Sequence, residues 1–252
     1  MSFALPAEAY DQVVGRFSRQ LAPRFVDFAG VTQGPVLDVG SGPGALTAEL
    51  AARLGPGAVA AVEPSVSFAE ACRARVPGAD VRAGTAEALP FADGTFAAAL
   101  AQLVFAFVGD APRAARELAR VVRPGGAVAA CMWEANGLQS ARIFWEAAHA
   151  LDPAAPDEGG LPFRRSGELE ALWSAAGLRE VEGGAIDVEA TIPSFDAFWG
   201  FFAQGVGPTG DYLLRQPPAR QAELRERCRT LLGDPPGPFT LSGRALAVRG
   251  RV

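Results

Sequence analysis

The chain of 252 residues contains no lysine; all 23 of its basic residues are arginines. Any reaction that needs a catalytic lysine is therefore excluded. With abundant Ala, Gly and Pro, the arginine bias reflects a GC-rich bacterial genome rather than a function. Histidine is almost absent too: His149 stands alone, in an apolar helical stretch where a packed or surface role competes with that of a base. Cys72, Cys131 and Cys228 are far apart and odd in number. With no CxxC and no Cys/His cluster, neither a disulfide framework nor a metal site is suggested, and the three thiols read as small buried side chains in a reducing cytoplasm. No basic-then-apolar leader follows Met1, and the longest apolar run, Ala97 to Val108, is too short to span a bilayer. The net charge of −5 argues against nucleic acid as the partner. Oligomeric state has no signature here.

What is present is apolar material in quantity: 49% of the residues are hydrophobic, enough for a sizeable core. The chain turns on one stretch, Pro35-Val36-Leu37-Asp38-Val39-Gly40-Ser41-Gly42-Pro43-Gly44. Val36 to Val39 reads as a buried strand, and Ala45 to Leu54 as a helix. Between them lie three glycines at alternate positions. Strand, glycine turn and helix make a nucleotide cradle, in which a ligand can come against the main chain and the amides of the helix start. The glycines alone leave a methyl donor and a nicotinamide dinucleotide both open, because Ala45 could serve as the third small residue of a dinucleotide fingerprint.

Asp38-x-Gly40-x-Gly42-x-Gly44 resembles motif I of the class I S-adenosylmethionine-dependent methyltransferases, in which a carboxylate two residues before the first glycine is typical. Further on, Gly84-Thr85-Ala86-Glu87-Ala88-Leu89-Pro90-Phe91 is similar to the adenine-cupping loop of the ubiquinone/menaquinone C-methyltransferase-like branch. Two positions depart from that pattern: Thr85 stands where Asp is frequent, and Ala97 replaces an Asp after Phe96. Arg123-Pro124-Gly125-Gly126 matches a turn of the same family, and Tyr10-Asp11…Gly15-Arg16-Phe17 resembles its opening segment, which helps to close over the cofactor. The specific motifs span Tyr10 to Met132, and the remainder matches by layout only. The resemblance implies S-adenosylmethionine as cofactor, S-adenosylhomocysteine as product, no metal, and a small-molecule acceptor.

Alternation of strands and helices continues after the turn. Ala58 to Val62, Ala79 to Ala83, Phe96 to Ala101 and Ala127 to Met132 read as strands, with helices over Val66 to Val76 and Ala111 to Val122. Asp110 is a natural cap for the latter, with Pro112 in its first turn. Helices are further expected over 143–151 and 168–176, the second capped by Ser166, and last strands over 181–192 and 239–248. The implied fold is α/β, a doubly wound, mostly parallel seven-stranded Rossmann-like sheet. Its single domain comprises an N-terminal helical segment (1–33), a cofactor-binding core (34–133) and a helical, lid-like insert (193–238), aromatic at first and then an Arg-rich helix from Ala219 to Leu232.

Glu63 follows the second strand roughly 20 residues beyond the glycine turn, where an acidic side chain can accept from both ribose hydroxyls. The cofactor site is expected to comprise Tyr10, Asp38, Gly40, Ser41, Gly42, Gly44, Glu63, Pro64, Thr85, Ala86, Glu87 and Gln102, the last at a strand exit suited to the methionine end. Phe107, Trp133, Trp199 and Tyr212 are candidates for a pocket taking an apolar or aromatic acceptor. Glu134, His149 and Tyr10 are candidates for a base, although in-line displacement from a sulfonium asks mainly for alignment and exclusion of water. Two other readings compete. A nicotinamide oxidoreductase loses the Tyr-Lys catalysis of short-chain dehydrogenases for want of lysine. A methyltransferase-fold protein that binds the cofactor without methylating, or catalyses another reaction, would share every motif.

Overall fold

The apolar runs of the N-terminal half become the strands β1 (Val36–Val39), β2 (Val59–Glu63), β3 (Asp80–Ala83), β4 (Phe96–Gln102) and β5 (Val122–Leu138). The structure, a computed structural model, describes residues 15–156, 158, 160–205 and 207–252; Tyr10 lies outside the described residues. Every residue of β1 and β2 is buried, as expected of parallel strands covered on both faces. With β6 (Arg179–Ile192) and β7 (Phe239–Arg251) they form one seven-stranded sheet of order β3-β2-β1-β4-β5-β7-β6. Only β7 runs against its neighbours. The order reverses between β1 and β4, so a crevice opens at their carboxyl ends.

Helices α1 (Gly15–Ala29), α2 (Ala45–Leu54) and α3 (Val66–Arg75) precede α4 (Ala111–Val121), α5 (Gln139–Leu151) and α6 (Glu168–Ala175). Strand alternation decides which layer each side chain meets. Val36, Leu100 and Cys131 pack with α1, α2 and α5, whereas Leu37, Val39 and Val128 pack with α4 and α6. Trp173 of α6 is fully buried, and its indole N–H donates to the Val128 carbonyl at 3.0 Å. Asp110 caps α4 as expected, its Oδ1 accepting from the Arg113 amide at 2.9 Å.

Two expectations need correction. Arg123-Pro124-Gly125-Gly126 is a bulge inside β5 rather than a turn before it. Val122 already pairs with Phe96, and the ladder resumes at Ala98 and Ala127. Ser166 does not cap α6; Gly167 does, and the amides there are met by acids, with Glu170 accepting from Gly167 at 3.1 Å and Glu168 from Arg165 at 3.1 Å. The 193–238 segment is helical as expected, its aromatic part included. It forms α7 (Phe195–Ala203) and α8 (Gly207–Arg215), followed by α9 (Pro218–Leu231). Ser194 caps α7 by accepting from the Ala197 amide at 3.2 Å. Arg229 of α9 lies 4.2 Å over the Phe195 ring, joining the two ends of the segment.

Among the described residues no helix is long and apolar enough to cross a membrane. The three cysteines are buried and unpaired with one another.

Candidate active site

At the end of β1 the chain must turn back over the sheet. Gly40 and Ser41 do this by donating their amides to the same Val62 carbonyl, at 2.8 and 3.1 Å. Gly40, Gly42 and Gly44 all have positive φ, of 70, 54 and 92°, which L side chains adopt only with strain. A Cβ on Gly40 would meet Val104 at 2.6 Å and one on Gly44 would meet the Cys72 sulfur at 2.9 Å. A Cβ on Gly42 would meet nothing within 4 Å. The outer two glycines serve packing, and the middle one looks into open space.

That space is a cavity of about 400 Å³, within the range of small-molecule sites. Gly40, Gly42, Glu63, Pro64, Ala86 and Gln102 line one end, and Trp133, Phe201 and Phe202 line the other. Phe107, 44% exposed, stands at its wall. One continuous cavity thus joins the glycine turn to the segment between β6 and β7.

Glu63, at the end of β2, is 6% exposed. Its Oε2 accepts from the Gly42 amide and its Oε1 from the Ser65 amide, both at 2.9 Å. Burial raises its pKa, with the two amide bonds acting in the opposite direction. Each oxygen keeps a further lone pair, and the residue lines the cavity. Gln102 donates its Nε2 to the Ser18 carbonyl of α1 at 3.1 Å, while its buried Oε1 has no partner.

Asp38 sits beneath the turn rather than in the cavity wall. It is 1% exposed, and its Oδ2 accepts from Thr47 Oγ1 of α2 at 2.6 Å; Oδ1 is buried without a partner. Burial pushes this carboxyl up to about 7, the Thr47 bond opposing and the Glu63 charge adding to the rise. Ser41 is buried in the turn and, like Gly44, lies outside the cavity lining.

The remaining expected side chains fall elsewhere. Thr85 is exposed, bridged to Ala88. Glu87 Oε1 turns to the start of α4, accepting from the Gly109 amide at 3.0 Å. Burial acts to raise the Glu87 pKa, but amide bonds and the Thr85 hydroxyl prevail and hold it low. Glu134 points to Arg244 at 3.5 Å, and His149 Nε2 lies 3.0 Å from the Ala155 carbonyl; neither lines the cavity. Trp199 and Tyr212 do not line the cavity; Trp199 packs edgewise on the wall residue Phe202 and Tyr212 against Trp145, at ring separations of 6.0 and 5.4 Å.

Two charged wall residues carry no motif. Arg164, 4% exposed, and Glu158 pair at 2.8 Å at the aromatic end of the cavity. Leu103 is a third wall residue without a sequence signal, and holds φ of 64° immediately after β4.

A doubly wound sheet with a glycine turn, an acidic β2 terminus and a cavity over the β1/β4 reversal defines a nucleotide-cofactor enzyme of the Rossmann-like kind. A family model, "Methyltransferase domain", matches residues 37–130. Nocamycin O-methyltransferase of Saccharothrix syringae is 30% identical, over all of this chain and 98% of its own length. Among solved structures, a candidate type II methyltransferase from Anaeromyxobacter dehalogenans has a TM-score of 0.67 at 23% identity, over 92% of this chain and 95% of that one. The [4+2]-cyclase SpnF shares the fold with a TM-score of 0.56 at 18% identity, over 92% of this chain and 81% of that one. The chain belongs to the class I S-adenosylmethionine-dependent methyltransferases, and its reaction is methyl transfer from that donor.

Proposed function

We propose that donor and acceptor share the one cavity, S-adenosylmethionine at the glycine-turn end and a small apolar or aromatic molecule at the end walled by Trp133, Phe201 and Phe202. The observation that carries this reading is the continuity of the cavity from Gly42 and Glu63 to the helices of the 193–238 segment. The residues present fit the donor. Gly42 leaves the main chain open to it. Glu63 has lone pairs for two ribose hydroxyls, and the orphaned Gln102 Oε1 suits the ammonium of the methionine end. The adenine recognition falls to Pro64 and the Ala86 main chain, because Thr85 and Glu87 turn to one another and to α4.

When bound, the donor supplies a methyl group on a positively charged sulfur that is already a good leaving group. The protein's own part is to align the acceptor and to exclude water. Helices α7 and α8 act as the lid over the acceptor. The small-molecule acceptor is supported by the Saccharothrix syringae relative, and the adenine-loop sequence Leu89-Pro90-Phe91 supports a place near the ubiquinone/menaquinone C-methyltransferase-like branch. A cytoplasmic setting accords with the buried free thiols, and a bacterial one with the Saccharothrix syringae relative.

Incubation with methyl-labelled S-adenosylmethionine and a panel of phenols, amines, thiols and quinone precursors tests this reading. Label is expected in a small aromatic product. Tight donor binding with no transfer to any class would favour a non-methylating reaction on the same fold.

A further inference from the structure

Among the described residues, the aromatic end of the cavity holds one ion pair in an otherwise uncharged wall. Arg164 and Glu158, both on the segment between α5 and α6, meet at 2.8 Å with side chains 5% and 18% exposed. The other polar wall residues there, Ser140 and Thr209, are uncharged. A buried arginine is costly unless its donors are met, and here most are. Its Nε donates to the Trp133 carbonyl at 3.1 Å, and Nη2 to the Glu134 carbonyl at 3.2 Å. Its Nη1 donates to the Glu158 carbonyl at 3.2 Å and to Glu158 Oε2 at 2.8 Å. Four bonds occupy a guanidinium with five N–H groups. Arg164 is thus committed to holding the end of β5 and orienting Glu158.

Glu158 is not fully committed. Its Oε2 belongs to Arg164, but among the described residues Oε1 has only the Trp145 indole N–H of α5, at 3.4 Å, beyond the usual range for such a bond. His149, also on α5, braces the same segment through the Ala155 carbonyl. An acceptor oxygen on the cavity wall therefore faces the place assigned above to the methyl acceptor.

Resting on that assignment, we propose that Glu158, oriented by Arg164, receives the hydroxyl of a neutral phenol or enol and takes its proton during transfer. The charges of the pair cancel, so a fixed cation gains little and would stand near the donor's sulfonium. A carboxylate would meet Glu158 with Arg164 already engaged. A neutral O–H donor suits the wall best. In the step, the acceptor O–H bond breaks and its proton passes to Glu158 Oε1. The oxygen forms a bond to the methyl carbon, and the carbon–sulfur bond breaks with its electron pair going to sulfur. The neutral thioether remains, and the proton later leaves Glu158 for solvent.

The test is binding of 4-nitrophenol to the full chain saturated with S-adenosylhomocysteine, followed by absorbance above and below the pH at which the phenol ionises. The wild type should bind the neutral form in preference. Glu158→Gln leaves Arg164 uncompensated and should swing the neutral-to-ionised affinity ratio at least tenfold toward phenolate. Glu158→Asp, which keeps the charge, should retain the neutral preference. Unchanged S-adenosylhomocysteine affinity reports that each variant is folded. For any phenol that is turned over, Glu158→Gln should lower kcat about 100-fold or more. A wild type that prefers phenolate or binds no phenol, or a Glu158→Gln profile identical to wild type, would overturn the assignment while leaving the donor site standing. Failure of S-adenosylhomocysteine to bind the wild type would remove the donor site, and this proposal with it.

Discussion

Replacing Glu63 separates a cofactor ligand from a structural carboxylate. Its two oxygens hold the Gly42 and Ser65 amides at 2.9 Å each, so the residue also pins the glycine turn to the start of α3. Hydrogen bonds to a charged group contribute about 1.5–3 kcal/mol each. In Glu63→Ala the freed amides face a cavity open to water, which returns part of that, so a stability loss of about 1–2 kcal/mol is expected. Loss of the two ribose bonds, partly offset by the desolvation they no longer require, should weaken S-adenosylmethionine binding roughly 10- to 100-fold, each tenfold being about 1.4 kcal/mol. Glu63→Gln keeps one accepting oxygen and should fall between. Calorimetric titration with the cofactor and with an analogue lacking the ribose hydroxyls provides the assay. The wild type should bind the analogue weakly, and Glu63→Ala should show little further loss. Equal discrimination against the analogue by both forms would refute the ribose role and leave Glu63 as a turn anchor only.

Gly42→Val should abolish S-adenosylhomocysteine binding, because its side chain would project into open cavity; the positive φ of 54° strains the turn, so stability falls while circular dichroism still reports the fold, and normal affinity would displace the cofactor from the turn. Asp38 makes the apo protein's stability fall as pH rises. Its folded carboxyl titrates at about 7 against 3.8 unfolded, so between these values the native state holds the extra proton and stability drains on the order of a few kcal/mol. Urea midpoints from pH 4 to 8 should decline in the wild type and flatten in Asp38→Asn; parallel slopes would contradict the burial argument. Phe202→Ala, in the cavity wall and packed on Phe144 at 4.6 Å, should raise the acceptor KM several-fold with little change in S-adenosylhomocysteine affinity. A loss confined to cofactor affinity would show that α7 does not cover the acceptor.

Local features were readable in advance. β1, the glycine turn and α2 are contiguous, so strand burial, backbone freedom and helix start announce one another within 20 residues, from Pro35 to Leu54. Glu63 is legible for the same reason, as the end of the next buried strand. Asp110 caps α4 through bonds to its own neighbours. What escaped was decided by contacts distant in sequence. Thr85 and Glu87 read as adenine ligands until Glu87 is seen holding Gly109, 22 residues away. Asp38 reads as a ligand, yet strand alternation turns it beneath the loop to Thr47. Glu134 reads as a candidate base just beyond a strand ending at Met132; β5 in fact runs on to Leu138, and Arg244 of β7 draws the side chain out of the pocket. Glu158 and Arg164 lie in a stretch without any motif, between two expected helices, and only its bonds to α5 and the end of β5 make them cavity wall.

The central claim is that the glycine-turn end of this cavity is a donor site. Isothermal titration of the purified chain with S-adenosylhomocysteine and, separately, with NAD tests it most directly. Saturable one-to-one binding of S-adenosylhomocysteine, lost in Gly42→Val, with no heat from NAD, is the predicted result. Binding of NAD in place of S-adenosylhomocysteine, or S-adenosylhomocysteine binding indifferent to both Gly42→Val and Glu63→Ala, would contradict it.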